Sequence, residues 1–437
     1  MRDLLVALVI FGSIPFIFKR PFVGALMWCW ISYMVPHRLG WGFITTFPVA
    51  SIIGGCFLLA YLASKEPKKV PMNAVTVTLL AFILWMSITT LIAPSDSYKM
   101  DQFFKVIKIQ LITFIILALL NSRQRIEAAL WVVGLSIGFY GLKGGVFTVL
   151  GGGTSRVWGP PGGFFHGNNE LALTLLINIP ILIYLAGVTS NRWIRYGLFT
   201  IILFSIFSIL GTHSRGSIVA GCAVCFFLWL KSNKKLLLSI AMVAVIPIAL
   251  MSMPQHWYDR MNTIIQPDIE SYDGSVQGRF NAWNMAFNLA KDKPFGGGFH
   301  ATTRENFALY APDPLKVHDS HSIYFQILGQ HGFIGLFLYL LLWIMTWRTG
   351  RRVIALSKNN EQLVWCRNLV RMLQVSIIAF TTGGAFLGLA YFDLPYHIII
   401  TLVAILEWVK RYQLEHQPPP IRPRTMQGRI PNGQIAQ

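Results

Sequence analysis

Charge is scarce in this chain of 437 residues: Asp, Glu, Lys and Arg together make up only 13% of it. A soluble domain carries about 25%, so this chain cannot cover a globular surface with polar groups, and a freely soluble fold is excluded. Acidic residues are scarcer still, 18 against 37 Lys and Arg. A metal-dependent transferase would need acidic pairs beside its substrate. The one candidate, Asp268-Ile-Glu270, reads better as an accidental surface pair, so neither a metal nor a cofactor is expected. Cysteines number five, and none lies between Met253 and His321, which excludes a disulfide framework for that long segment. Cys222-Ala-Val-Cys225 has redox-motif spacing, but in an apolar run it reads as two small buried hydrophobes. No small-residue cleavage site follows the first apolar run, so no cleaved signal is expected. Strict apolar–polar alternation is missing, which argues against a β-barrel.

What the chain does have is hydrophobic length: 54% of it is apolar. Apolar runs fall at 3–18, 22–36, 45–63, 72–93, 105–120, 127–150, 170–188, 195–212, 216–230, 236–252, 322–347, 369–388 and 394–409. Most have the ~20 residues that an α-helix needs to cross about 30 Å of hydrocarbon. The fold class expected is an all-α polytopic membrane protein with about twelve (twelve or thirteen) transmembrane helices. The first two runs are short and separated by Lys19-Arg20-Pro21, which leaves two tilted spans or a partly inserted hairpin.

The net charge of +19 is distributed in a way that argues against nucleic acid. Basic clusters recur at Lys19-Arg20, Lys65 with Lys68-Lys69, Arg123 with Arg125, Arg192 with Arg195, Lys231 with Lys234-Lys235, Arg348 with Arg351-Arg352, and Lys410-Arg411. Simple alternation of the helices puts all of them on one side, the positive-inside pattern of a cytoplasmic face. The division expected is N-terminal transmembrane helices over 1–252, one long outer loop over 253–321, C-terminal helices over 322–411, and a disordered basic, proline-rich tail over 412–437. The long outer loop holds six Lys and Arg against eight Asp and Glu. Long ordered loops commonly carry function, and in a bacterium this face is periplasmic.

Four polar constellations fall at the outer boundary. Gly211-Thr-His-Ser-Arg-Gly-Ser217 leaves almost no loop between two spans, so Arg215 opens a helix at membrane depth. Its guanidinium fork and the helix N-terminus suit an anion; the plainer reading is an arginine snorkelling to the interface. Arg156-Val-Trp-Gly-Pro-Pro-Gly-Gly-Phe-Phe-His-Gly-Asn-Asn169 offers glycines for close backbone approach and a second phosphate contact in Arg156, or merely a structural turn. Arg279, Trp283 and Phe287, spaced by four, share one helical face; they either aim Arg279 inward with the aromatics on the membrane surface or only pack. His318-Asp-Ser-His321-Ser322 precedes a span, where a histidine suits proton transfer near neutral pH or simple interfacial hydrogen bonding. Together these suit glycosyl transfer from a polyprenyl-diphosphate sugar, whose leaving group arginines can stabilise without a metal.

The residues also carry a resemblance. His321-Ser322, nine residues, then Gly332-Phe-Ile-Gly335 is similar to the histidine motif of the bacterial O-antigen ligase family. The Arg215-Gly-Ser segment, the Arg279 helix, the glycine-rich stretch before His300 and the topology resemble the wider O-antigen ligase and polymerase superfamily, and in particular exosortase-associated O-glycosylation ligases. The resemblance implies a GT-C-like, inverting, metal-independent enzyme of the bacterial inner membrane, with its active site facing the periplasm. It would move a glycan from undecaprenyl diphosphate to a lipid A–core hydroxyl in lipopolysaccharide biosynthesis. Its partners would be that donor, that acceptor and membrane lipids, with no nucleic acid. Carried over by residue, His321 is the general base or acceptor orienter and Arg215 the diphosphate clamp. Arg279 and Arg156 follow by their surroundings; His318, Asp319 and His331 take supporting roles, with Asp319 holding an imidazole tautomer. An O-antigen polymerase and a protein O-oligosaccharyltransferase are the enzymatic alternatives. A lipid-linked glycan flippase or transporter is the alternative of another class; it predicts midplane charges and inverted repeats, and no convincing repeat is present.

Overall fold

The computed structural model describes residues 1–93, 97–232, 234–262 and 274–416. Asp268-Ile-Glu270 and the tail from 417 onward lie outside the described residues. Among the described residues every regular element is helical. The first ten helices are α1 (Arg2–Lys19), α2 (Pro21–Met34), α3 (Val49–Ala63), α4 (Ala74–Ile92), α5 (Ser97–Leu119), α6 (Arg123–Leu150), α7 (Asn168–Val188), α8 (Arg192–Gly211), α9 (Arg215–Lys231) and α10 (Lys235–Met251). Three shorter helices follow in the long outer loop: α11 (Gln255–Asn262), α12 (Gly274–Asp292) and α13 (Arg304–Tyr310). The chain then runs through α14 (Ile323–Leu356), α15 (Val364–Gly383) and α16 (Asp393–Glu415).

Each of the thirteen apolar runs coincides with a helix, α1–α10 or α14–α16. Among the described residues seven helices are long and apolar enough to cross a membrane, or up to eight if the bent pair α10–α11 is one span. The others fall short for stated reasons. α2 and α3 have 14 and 15 residues, α9 and α10 have 17 each, and α1 and α16 carry charged residues at their ends.

Local sequence sets the helix ends. Asn73 caps α4, its Oδ1 accepting from the Val75 N–H at 2.9 Å and the Thr76 N–H at 3.2 Å, while Thr76 Oγ1 accepts from the Asn73 N–H at 2.8 Å. This is a reciprocal capping box. Ser122, Asn191 and Ser214 cap α6, α8 and α9 in the same way. α7 lies innermost, 83% of its apolar window being buried, and packs against α6, α8, α9 and α15. Between α6 and α8 the approach is closest because α6 presents glycines. A Cβ on Gly141 would fall on the Ser205 hydroxyl, and one on Gly145 on the Phe204 carbonyl. Small residues bring helices together in this way where lipid supplies no hydrophobic drive.

α14 is bent inside the histidine motif. Gly332 adopts φ +67° within the helix, and a Cβ there would fall on the carbonyl of Pro294. The glycine-rich segment after α12 seats in this notch: the Gly297 N–H donates to the Gly329 carbonyl at 2.9 Å, and Gly296 lies against the Gln330 and His331 backbone. The glycines of both motifs are therefore one packing joint between the outer loop and α14. Gly332→Ala should cost about 1–3 kcal/mol, combining a strained φ with an overlap. The control Gly187→Ala, whose Cβ would enter open space, should be neutral or mildly stabilising. Thermal unfolding of the purified variants checks this, and equal melting temperatures for both would contradict it.

Candidate functional site

The turn between α8 and α9 is the foundation of the site. His213 takes a left-handed φ of +55°, a conformation that non-glycine residues adopt only when their surroundings fix it. Here they do. Asn168 Nδ2 donates to the Thr212 carbonyl at 2.8 Å, and the His213 ring is joined through Nε2 to the Gly153 carbonyl at 2.9 Å. Ser214 then caps α9, its Oγ accepting from the Ser217 N–H at 3.3 Å, and Arg215 opens the helix half-buried. Burial holds the His213 imidazole below the ordinary histidine range, although its bond to Gly153 opposes the shift; the His256, Arg156 and Arg260 charges add to it.

α11 folds back on α10 at 110°. Its Trp257 is buried with Leu210, Ala249 and Met253 and donates through Nε1 to the Leu210 carbonyl at 2.9 Å. Three residues on, Arg260 Nε donates to the His213 carbonyl at 3.0 Å. The bend thus delivers a further arginine to the α8–α9 turn. α12 delivers another. Trp283 stacks on Phe325 of α14 with centroids 4.9 Å apart and donates to the Ser320 carbonyl at 2.7 Å. Phe287 meets Phe333 edge-on. The shared face expected of Trp283 and Phe287 therefore packs along α14, with Phe287 and Phe333 still exposed. Asn281 on the same helix holds the following loop, bonding the Asp313 and Lys316 carbonyls at 2.8 and 3.0 Å. His318 lies against Gly278, where a Cβ would come within 2.5 Å of its ring.

These elements enclose a cavity of about 170 Å³ lined by Arg215, Arg260, Arg279, His318 and His321, with Asn169, Ser214, Gly216, Phe386 and Leu387 completing the wall. Among the described residues no carboxylate lines it, so it is an anion site by charge. A second cavity of about 600 Å³ adjoins it, since Glu170, Asp319 and Gly388 line the second one and their sequence neighbours Asn169, His318 and Leu387 line the first. The character of the second cavity is different. It presents carboxylates (Glu170, Asp319), amides (Gln102, Gln326, Gln330) and rings such as Tyr98 and Phe164, the groups that meet sugar hydroxyls and sugar faces.

His321 stands at the junction. Its φ is +42°, and the segment into α14 is set by Ser320, whose N–H donates to Asp319 Oδ1 at 2.9 Å. The His318 and His321 rings lie 6.1 Å apart. Burial lowers the His321 pKa from the ordinary value; the Asp319 and Glu170 charges oppose this, and Arg279 and His318 reinforce it. The imidazole is therefore neutral at neutral pH and can accept a proton.

Of the residues singled out in the sequence, Arg215, Arg279, His318 and His321 come together in the first cavity. Asp319 lines the second and reaches His321 through its charge. Arg156 is exposed and lines neither cavity, though its charge reaches His213 in the α8–α9 turn. The Pro-Pro-Gly-Gly segment near it is a turn, with the Gly163 N–H donating to the Pro160 carbonyl at 3.1 Å. It buries Phe165 and leads into α7, where Asn169 and Glu170 reach the cavities. His331 is likewise structural. It is fully buried, with Nδ1 joined to Thr89 at 2.7 Å and Nε2 to the Tyr391 hydroxyl at 2.8 Å. Cys222 is exposed on α9 and Cys225 half-buried, so Cys222 is not the buried residue its apolar run implied. Arg260 escaped sequence reasoning; its signal was the Trp257–Arg260 spacing of three in an amphipathic turn after a span.

Residues 175–340 match the family model described as O-antigen ligase, a stretch that contains Arg215, Arg260, Arg279, His318 and His321. This match supports membership of the O-antigen ligase family. Residues 1–190 match a family of unknown function (DUF5935), and no curated protein matches the chain. Its O-antigen ligase domain and its long apolar helices make it a multi-pass membrane protein of glycan assembly, of the ligase or polymerase type, with a glycosyltransferase-like enzyme activity.

The opposing charges around His321 give a test on the O-antigen ligase domain itself. Asp319→Asn removes a charge that raises the His321 pKa, so the titration should move to lower pH. Arg279→Gln removes one that lowers it, so the titration should move up. NMR of histidine-labelled protein across a range of about two pH units either side of the ~6.5 reference reads both, and shifts of the same sign would refute the arrangement.

Proposed function

We propose that this protein is an O-antigen ligase: it transfers a glycan from undecaprenyl diphosphate to a hydroxyl of lipid A–core oligosaccharide in lipopolysaccharide biosynthesis. The observation that carries the reading is an arginine cavity, lined by no carboxylate among the described residues, adjoining a larger polar and aromatic one, with His321 in the wall of the first and within the field of Asp319 and Glu170 of the second. In this reading the diphosphate of the donor lies among Arg215, Arg260 and Arg279, and the acceptor sugar enters the larger cavity. His321 takes the proton of the acceptor hydroxyl as its oxygen bonds to the anomeric carbon. The bond from that carbon to the diphosphate oxygen breaks, and the electron pair leaves with undecaprenyl diphosphate, whose charge the arginines stabilise. A single displacement of this kind inverts the anomeric centre, and these residues perform it without a metal. Asp319 and Glu170 favour the imidazolium as it forms, and His318 helps shape the phosphate end.

The architecture that goes with this proposal is GT-C-like, with twelve or thirteen of the apolar helices crossing the bacterial inner membrane. The positive-inside bias of the basic loops supports a periplasmic site. Both cavities lie at the ends of helices that bear the basic loops at their other ends.

In vitro transfer with purified protein, undecaprenyl-diphosphate glycan and a choice of acceptors tests the reading. Product on lipid A–core supports a ligase. Product only on a second glycan repeat would make the protein a polymerase, only on a pilin-like protein an O-oligosaccharyltransferase, and donor translocation without transfer a flippase. His321→Ala should lower turnover by about 10²–10⁴-fold. Arg215→Gln and Arg260→Gln should each lower it by about 10²–10³-fold, all with unchanged folding. Wild-type rates in His321→Ala would sink the assignment, and loss of activity on chelation would reject the metal-free mechanism.

A further inference from the structure

A second gathering of cations lies at the far end of the helices that build the site. Lys231 closes α9, Arg351 lies on the last turns of α14, Lys358 lies just beyond them, and Arg367 and Arg371 lie on α15. Together with Ile354 and Ala355 they line an open cavity of about 520 Å³. Arg215 and Lys231 are the two ends of α9, so at 1.5 Å per residue the two cation clusters are roughly 24 Å apart along that helix.

Among the described residues no carboxylate lines this cavity. Lys231 donates to Gln374 Oε1 at 2.9 Å, and its ammonium lies 5.3 Å from the Trp347 ring centroid. Arg367 donates to the Ser357 and Lys358 carbonyls at 2.8 and 3.0 Å. These partners are neutral, while the Arg351 and Arg371 charges repel that of Lys231. An anion in the cavity would relieve that repulsion. The cavity also sits at a defined depth. On α14 the exposed Phe337, Leu340 and Ile344 give way to Arg348, Arg351 and Arg352, with Trp347 at the change. On α9 the exposed Phe226, Trp229 and Leu230 directly precede Lys231. Apolar surface ending in tryptophan and then in basic residues marks the edge of the hydrocarbon, which is where phospholipid phosphates lie.

We propose that this cavity binds the phosphate headgroup of an anionic phospholipid, on the membrane face opposite the arginine–histidine cavity. The guanidinium forks of Arg351 and Arg371 take phosphate oxygens, Lys231 and Lys358 add point charge, and Ile354 and Ala355 face the glycerol and upper acyl chain. Basic pockets between transmembrane helices on the positive-inside face commonly hold such lipids. The inference does not rest on the glycosyl-transfer reading.

The test uses delipidated full-length protein in detergent, titrated with phosphatidylglycerol, cardiolipin or phosphatidylcholine and read by native mass spectrometry and by thermal unfolding. The anionic lipids should be retained and should raise the unfolding temperature, and phosphatidylcholine should do neither. The double substitution Arg351→Gln with Arg371→Gln should lower retention by about tenfold, while Arg352→Gln, outside the cavity, should leave it unchanged. Should the double variant not fold, Lys358→Gln at the exposed rim gives the same reading with a smaller loss. Equal retention of phosphatidylcholine by the wild type overturns the proposal, as does undiminished retention in the double variant. The same stabilisation by millimolar inorganic phosphate alone would assign the cavity to a soluble anion and overturn the lipid.

Discussion

Like charges held together in a poorly solvated wall are the constraint on which the site depends. Arg215, Arg260 and Arg279 face one cavity, beside His318 and His321, and among the described residues no carboxylate lines it. At an effective dielectric of 20, two unit charges about 6 Å apart repel by roughly 3 kcal/mol. The arrangement persists only because each arginine is carried by a different helix, α9, α11 or α12, and each helix is anchored elsewhere. The anchors are neutral: the Trp257 indole on the Leu210 carbonyl, Trp283 on Phe325 and on the Ser320 carbonyl, and Asn281 on the Asp313 loop. An anionic ligand would therefore meet guanidinium groups whose positions the fold has already set.

Glycine makes the anchoring possible. α14 could not receive the outer loop with a side chain at Gly332, because Pro294 occupies that place, and Gly296 and Gly297 complete the same joint. One motif read from the sequence as a catalytic signature thus divides in two. Its His321 end lines the arginine cavity, and its Gly332–Gly335 end is the notch that holds the loop carrying Arg279 and His318 in position. The joint explains why two glycine-rich stretches far apart in sequence accompany one histidine.

Much of this was legible in the sequence, and the parts that were not fail for identifiable reasons. Each apolar run fell on a helix, α1–α10 or α14–α16, because a helix that faces lipid satisfies its backbone within itself and leaves a one-dimensional apolar signal. Arg215, Arg279, His318 and His321 stood out as polar residues interrupting that signal at one boundary. Arg156 stood out too, yet proximity to a glycine-rich turn does not determine which way a side chain points: the turn buries Phe165 and leaves Arg156 exposed, lining neither cavity, with its charge felt at His213. Arg260 was missed since nothing in a linear reading reveals a reversal of 110° between α10 and α11. The division into two cavities was also invisible, as it depends on consecutive residues, Asn169 with Glu170 and His318 with Asp319, facing opposite sides of one wall.

Two histidines ten residues apart show why residue type alone decides little. His331 has both ring nitrogens bonded, to Thr89 and Tyr391, in a dry core, so it has no lone pair to offer a substrate. His321 lies where the field changes sign, with arginines on one side and Glu170 and Asp319 on the other. Before reaction, burial and Arg279 keep it neutral and able to accept a proton. In the proposed transfer, an imidazolium formed at His321 would be favoured by the Asp319 and Glu170 charges, while the arginines would face the diphosphate. Under that proposal one wall, between an arginine-lined cavity and one of mixed charge and polarity, would serve proton removal and leaving-group departure together.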